Sequence, residues 1–128
     1  MEIKFLNGKP GIYSARFAGK NCSYEDNVRK VLKLLKNVPL KKRIATFKCA
    51  MALCNENQTL AVRIGSCKGH ITFQAKGKKG FGYDPIFVPL GYKKTFAELS
   101  IHLKYKISHR AKALKKISKV IKKYLKNE

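Results

Sequence analysis

The residues best equipped for chemistry lie between positions 80 and 110, in GFGYDPIFVPLGYKKTFAELS and the SHR that follows it. Gly80 and Gly82 flank Phe81, so the backbone can turn sharply and hold an aromatic face out of the turn, where a planar ligand could stack. Tyr83 and Asp84 come next, and Pro85 stiffens the exit. A residue before proline is pushed to an extended backbone, which predicts a fixed direction for the Asp84 carboxylate. Each feature also has a plainer reading. Gly-Phe-Gly fits an ordinary turn, Asp84 fits a carboxylate that caps a turn, and His109 fits a histidine bonded to backbone at a helix start.

The elements that must carry these side chains follow from patterning. Residues 2–6 read as a short strand ending in the Asn7-Gly8 turn, and Pro10-Gly11 as a second turn. Arg16, in the IYSARFAG that follows, reads from its residue type as a partner for a carboxylate elsewhere in the fold. Ser23, with Asp26 three positions on, predicts a capped helix that buries Val28, Val31, Leu32 and Leu35 and ends near Asn37. IATFKCAMALC, residues 44–54, is strand-like, residues 55–58 a turn and residues 59–64 a second strand. Residues 65–69 then lead to a third strand around His70. KGKK, residues 76–79, reads as a mobile, solvated basic loop delivering the chain to Phe81. VPLGY is a connection, and residues 95–100 form a helical turn or a tight loop. Ile107, Ala111, Leu114, Ile117, Ile121 and Leu125 recur at helical spacing, so a terminal helix is expected to pack that stripe on the sheet. It starts at Ser108 or near Ser100; in the second case Lys104 and Ser108 share a face.

Composition narrows the classes. The chain has 128 residues, room for one domain or part of one. Lysine and arginine number 29 against seven acids, a formal charge of +22. Specific nucleic-acid readers favour arginine's bidentate fork, whereas here lysine dominates and is scattered along nearly every element. A general lysine bias explains the charge, and no specific nucleic acid is expected as partner. Cys22, Cys49, Cys54 and Cys67 lack metal-ligand or disulfide-scaffold spacing and read as reduced thiols. No apolar run reaches membrane-spanning length and no signal peptide is evident, so the expectation is a soluble, cytoplasmic protein with no membrane partner.

GFGYDPIF, the GY-x-x-TFAELS after it and KYKISHR together resemble the signature of the inosine triphosphate pyrophosphatase family, the dITP/XTP pyrophosphatases. The resemblance continues through NGKPGIYSARFAG and RAKALKKI and covers essentially the whole chain. It implies an α/β fold, a mixed twisted sheet with flanking helices in two lobes around a nucleotide cleft, usually a homodimer. It also implies hydrolysis of ITP, dITP and XTP to the monophosphate and pyrophosphate with Mg²⁺. The substrate-binding residues it implies are Phe81, Gly82, Tyr83, Asp84, Lys104, Ser108, His109 and Arg110. Phe81 stacks on the purine, His109 and Arg110 donate to a 6-keto oxygen, Asp84 accepts, and Lys104 touches base edge or phosphate. A 6-amino group would meet these donors with a donor, and a buried unpaired donor costs about 1–3 kcal/mol.

Two departures qualify the match. Family members often carry Glu-Lys-Asn where this chain has Leu103, Lys104 and Tyr105. The family's catalytic Asp-Asp-Ser-Gly motif, phosphate-gripping loop and metal-binding glutamate correspond to positions before Met1. The seven acids, Glu2, Glu25, Asp26, Glu56, Asp84, Glu98 and Glu128, supply no substitute cluster, because only Asp84 lies in the implied pocket. Residues 1–128 are therefore expected to be the C-terminal two-thirds of one pyrophosphatase domain, N-terminally truncated. No catalytic or metal-binding residue is expected within it, and alone it is expected to be inactive. A separately encoded N-terminal segment is then a possible partner. The alternatives are a non-catalytic nucleotide-binding remnant and a basic nucleic-acid-binding protein.

Overall fold

The strongest sequence patterns give the longest elements. In a computed structural model, which describes residues 1–127, helix α1 spans Tyr24–Leu34, strand β2 Ile44–Cys54 and strand β3 Thr59–Ile71. Glu128, one of the seven acids, lies outside the described residues. Ser23 Oγ accepts from the Asp26 amide at 3.1 Å and Asp26 Oδ2 accepts from the Ser23 amide at 2.9 Å, so aspartate closes the reciprocal cap in place of glutamate. Val28, Val31 and Leu35 face inward, and the helix stops at Leu34, somewhat earlier than expected, with Asn37 left-handed at φ 65°. Between β2 and β3, Asn55 Oδ1 accepts from the amides of Asn57 and Gln58, both at 2.9 Å, which closes the predicted turn.

Glycine misleads in β3. The sequence suggests a break at residues 65–69, yet the strand runs through them. A Cβ on Gly65 would lie 2.2 Å from the His109 carbonyl oxygen, and one on Gly69 would lie 2.1 Å from that of Val88. Both glycines admit neighbouring backbone rather than end the strand. Strand β1 is shorter than predicted, Glu2–Ile3, because a 3-10 turn takes Lys4–Leu6 before Asn7 and Gly8 turn at positive φ. The VPLGY connection begins as a strand, β4 (Phe87–Pro89), too brief to show periodicity. Glu2 pairs with Thr46 and Ile3 with Ala45, while Gly69, His70 and Ile71 pair with Pro89, Val88 and Phe87. The strand order is β1-β2-β3-β4, these pairings are antiparallel, and with its helices the fold is α/β.

The described residues divide into two compact units. The first comprises Met1–Thr46 and Lys68–Ser100, with a core of Ile3, Val31, Leu35, Ile71, Ile86, Phe87 and Phe96. Burying each such side chain stabilises by about 1.5–3 kcal/mol. Arg43 is also fully buried here. Its guanidinium donates to the carbonyls of Leu35 (2.6 Å), Val38 (3.1 Å), Ile71 (2.9 Å) and Thr72 (2.7 Å), and burial lowers its pKa. Residues 95–100 are a tight loop in which Thr95 Oγ1 donates to Lys76 O at 2.7 Å and its amide donates to Glu98 Oε1 at 3.0 Å. The backbone of the basic loop is tied by the same contact and by Lys79 N–H to Ala97 O at 3.1 Å.

The second unit comprises Phe47–Cys67 and the chain from Ile101 onward. Both expected starts of the terminal helix occur, as α2 (Ile101–Ile107) and α3 (His109–Lys126). The buried stripe differs from the prediction. Ala113 and Ile117 are buried, whereas Leu114 is 55% and Leu125 63% exposed. Small Ala113 sits at the close approach to Gly65, and that contact sets the rotation of α3.

Candidate functional site

Phe81, Gly82, Tyr83 and Asp84 form one set, in the first unit. Gly80 (φ 75°) and Gly82 (φ 61°) adopt left-handed backbone, which L side chains enter only at a cost, and the predicted sharp turn follows. The extended backbone predicted for Asp84 is not found; Asp84 opens a 3-10 turn over Asp84–Ile86. The cause is a reciprocal lock. Phe81 N–H donates to Asp84 Oδ2 at 3.0 Å, and Asp84 N–H donates to Phe81 O at 3.2 Å. Pro85 loses nothing by lacking an N–H in the first turn. One oxygen of the buried Asp84 carboxylate is thus engaged by the loop itself. Tyr83 is buried and its hydroxyl donates to Ser14 O at 2.7 Å; burial, then the neighbouring Cys22, raises its pKa. Phe81 itself remains 43% exposed, with the Tyr24 ring 6.3 Å away.

Lys104, Ser108, His109 and Arg110 form the other set, at the α2–α3 junction of the second unit. Ser108, at φ −66° and ψ 157°, leaves helical geometry, donates its amide to Lys104 O at 2.9 Å and accepts from the Ala111 amide on Oγ at 3.1 Å. It ends one helix and caps the next. The cap places His109 and Arg110 in the first turn of α3. The His109 ring stacks on Phe47, with centroids 4.7 Å apart and planes 13° apart. Burial, then the positive charges of Arg110 and Lys104, pushes its pKa down to about 4, so the ring is neutral at physiological pH. Its Nδ1 is buried without a hydrogen-bond partner, a polar atom left unsatisfied by the protein.

Sequence reasoning overlooked two positions. Gly65 lets the α3 backbone approach the strand beside His109, and its signal was a lone glycine inside a β pattern. Tyr24 contacts Phe81, and only its place after a helix cap marked it. A groove of about 420 Å³ in the first unit is lined by Glu2, Lys4, Asn7, Gly8, Ile44, Thr46 and Lys68, none of them a sequence-predicted site residue. Among the described residues no three His, Cys, Asp or Glu side chains are grouped to hold a metal ion. Asp84 Oδ2 is engaged by the Phe81 amide within its own turn. No described helix is long and apolar enough to cross a membrane.

Comparison with known proteins places these features in context. The Ham1 family model matches residues 1–120. The chain is 50% identical over 123 residues to a dITP/XTP pyrophosphatase of Caldanaerobacter subterraneus subsp. tengcongensis, covering 96% of this chain and 61% of the relative. It is 44% identical over 121 residues to the dITP/XTP pyrophosphatase of Bacillus subtilis, covering 94% and 61%. Among solved structures, the Staphylococcus aureus Ham1 protein matches with a TM-score of 0.88 at 40% identity, over 96% of this chain and 63% of that one. A Coxiella burnetii HAM1 protein matches with a TM-score of 0.87 at 39% identity, over 95% and 63%. The chain thus spans about three fifths of the length of the curated relatives it matches.

Proposed function

The chain belongs to the Ham1 family, and from that premise we propose that it carries the purine-recognition part of a hydrolase that converts ITP, dITP and XTP to the monophosphate and pyrophosphate. The observation that carries the reading is the loop at residues 80–84. It presents a half-exposed phenylalanine between two left-handed glycines, a geometry suited to stacking against a purine. The exposed guanidinium of Arg110 donates to the 6-keto oxygen that distinguishes inosine and xanthine from adenine. His109, neutral at physiological pH, offers one N–H and one acceptor nitrogen to a polar base edge. Lys104 contacts base edge or phosphate, and Gly82, Tyr83, Asp84 and Ser108 shape the two recognition segments.

Magnesium dependence, a homodimeric assembly and a cytoplasmic setting belong to the same reading through family resemblance. In that reading the part of Phe81, Asp84, Lys104, His109 and Arg110 in the reaction is to bind and orient the base. The lysine-rich surface attracts anions without reading sequence, and any binding to duplex DNA should collapse with rising salt.

The test is pyrophosphate release from ITP with Mg²⁺. It is run on this chain alone and on the chain supplied with the unmatched two fifths of a relative as a second polypeptide. In whichever form turns over, Phe81→Ala should cost roughly 1–3 kcal/mol of kcat/KM for every purine triphosphate, and Arg110→Ala should reduce the preference for ITP over ATP. An unchanged ITP to ATP ratio in the Arg110 variant would assign selectivity elsewhere. Turnover by the 128 residues alone, abolished by Asp84→Asn, would make Asp84 the catalytic carboxylate.

A further inference from the structure

The aromatic loop is contacted from one side by the ring of Tyr24. Tyr24 occupies the first turn of α1, with its ring centroid 6.3 Å from that of Phe81 and the planes tilted by 45°. The pair lies at the surface, Tyr24 55% and Phe81 43% exposed, so the contact is not a by-product of core packing. The two segments are also joined through a third. Tyr83 donates to Ser14 O, and Asn27 of α1 holds the same stretch by donating to Ala15 O at 3.1 Å and accepting from the Ala18 amide at 2.8 Å. The helix start carrying Tyr24 is itself fixed by the Ser23–Asp26 cap.

We propose that Tyr24 is a positioning residue that holds the Phe81 ring at the angle required to receive a purine. The two rings do not sandwich a base, because a base between parallel rings needs about 3.5 Å on each side, about 7 Å in all. Tyr24 instead blocks one direction of swing for a side chain that remains 43% exposed at the surface. The affinity part of this inference rests on the base-stacking reading of Phe81; the part concerning ring order does not.

Two measurements on the full chain test it. In the first, ¹³C relaxation of the Phe81 ring, with backbone ¹⁵N relaxation beside it, reports the order of the ring and of residues 80–84. Tyr24→Ala should lower their order parameters while far-UV spectra and the order of α1 stay unchanged, and Tyr24→Phe should restore them. In the second, calorimetric binding is compared for ITP and for inorganic tripolyphosphate, which lacks a base. Tyr24→Ala should weaken ITP about three- to tenfold, leave tripolyphosphate unchanged and be rescued by Tyr24→Phe. Added to Phe81→Ala, it should cost nothing more, because a brace has no effect once the ring is gone. Unaltered loop order in Tyr24→Ala, or equal weakening of both ligands, overturns the inference. So do additive losses in the double variant. If Phe81→Ala binds ITP as the parent does, or the parent does not bind it, the stacking reading fails, and the relaxation result alone then decides whether Tyr24 braces the ring.

Discussion

The loop at residues 80–84 and the α2–α3 junction solve the same problem, fixing side chains in place, by opposite means. The loop depends on backbone: two left-handed glycines and a reciprocal Phe81–Asp84 lock, with bonds closing over three residues. The junction depends on packing: His109 and Arg110 are placed by a helix that comes within reach of a strand only because Gly65 has no side chain, and by the stack on Phe47. The difference shows where each is vulnerable. A locally closed loop tolerates change around it but not a change of backbone preference within it, whereas a packed junction can be disrupted from 44 residues away in sequence, the separation of Gly65 from His109.

Three substitutions probe that contrast, in descending order of effect. Gly65→Ala forces a methyl group against the His109 carbonyl and against Ala113 N, 2.3 Å away, atoms that cannot give way without moving α3. A loss of about 2–4 kcal/mol in urea unfolding is expected, with exchange protection falling at residues 109–113 before it falls at residues 80–84. Equal loss at both would erase the distinction. Gly82→Ala meets open space, so its cost is conformational only, about 1–2 kcal/mol, and should appear as altered amide shifts confined to the loop. The third concerns pH. His109 has a folded pKa of about 4 against about 6.5 unfolded, so as pH falls through that window the unfolded chain takes up a proton the folded ring refuses. Stability should decline between pH 6.5 and pH 4 by about 1 kcal/mol, the full linkage being discounted for partial exposure. His109→Phe, which keeps a ring over Phe47, should flatten part of that decline. His70, whose pKa is lowered by burial and then by Arg43, supplies the remainder.

What the sequence conveyed tracks the range of the interactions involved. The bounds of β2, the Ser23 cap and the Asn55 turn rest on residues within a few positions of each other, and each was legible. The continuity of β3 through Gly65 and Gly69, the brevity of β1, the strand β4 and the rotation of α3 all depend on distant partners. A glycine that admits a neighbouring helix looks identical in sequence to one that ends a strand. The site divides in the same way. The Gly80–Gly82 turn and a helix start at Ser108 followed from the sequence, but the 3-10 turn at Asp84 prevailed over the extended preference ahead of Pro85 because the aspartate's own side chain closes it. Tyr24 had no signal of its own, since an exposed tyrosine after a helix cap says nothing of the ring it touches.

Arg43 has a consequence for how the first unit assembles. Its guanidinium joins the end of α1 to the end of β3, bridging 28 and 29 residues of chain to Ile71 and Thr72. Bringing such a charge out of water is favourable only when all of its donors are matched, so a half-built version, with α1 docked and β3 absent, would be worse than none. The side chain thus acts as a proofreader of assembly: it penalises partial arrangements, making two segments distant in sequence form together or not at all.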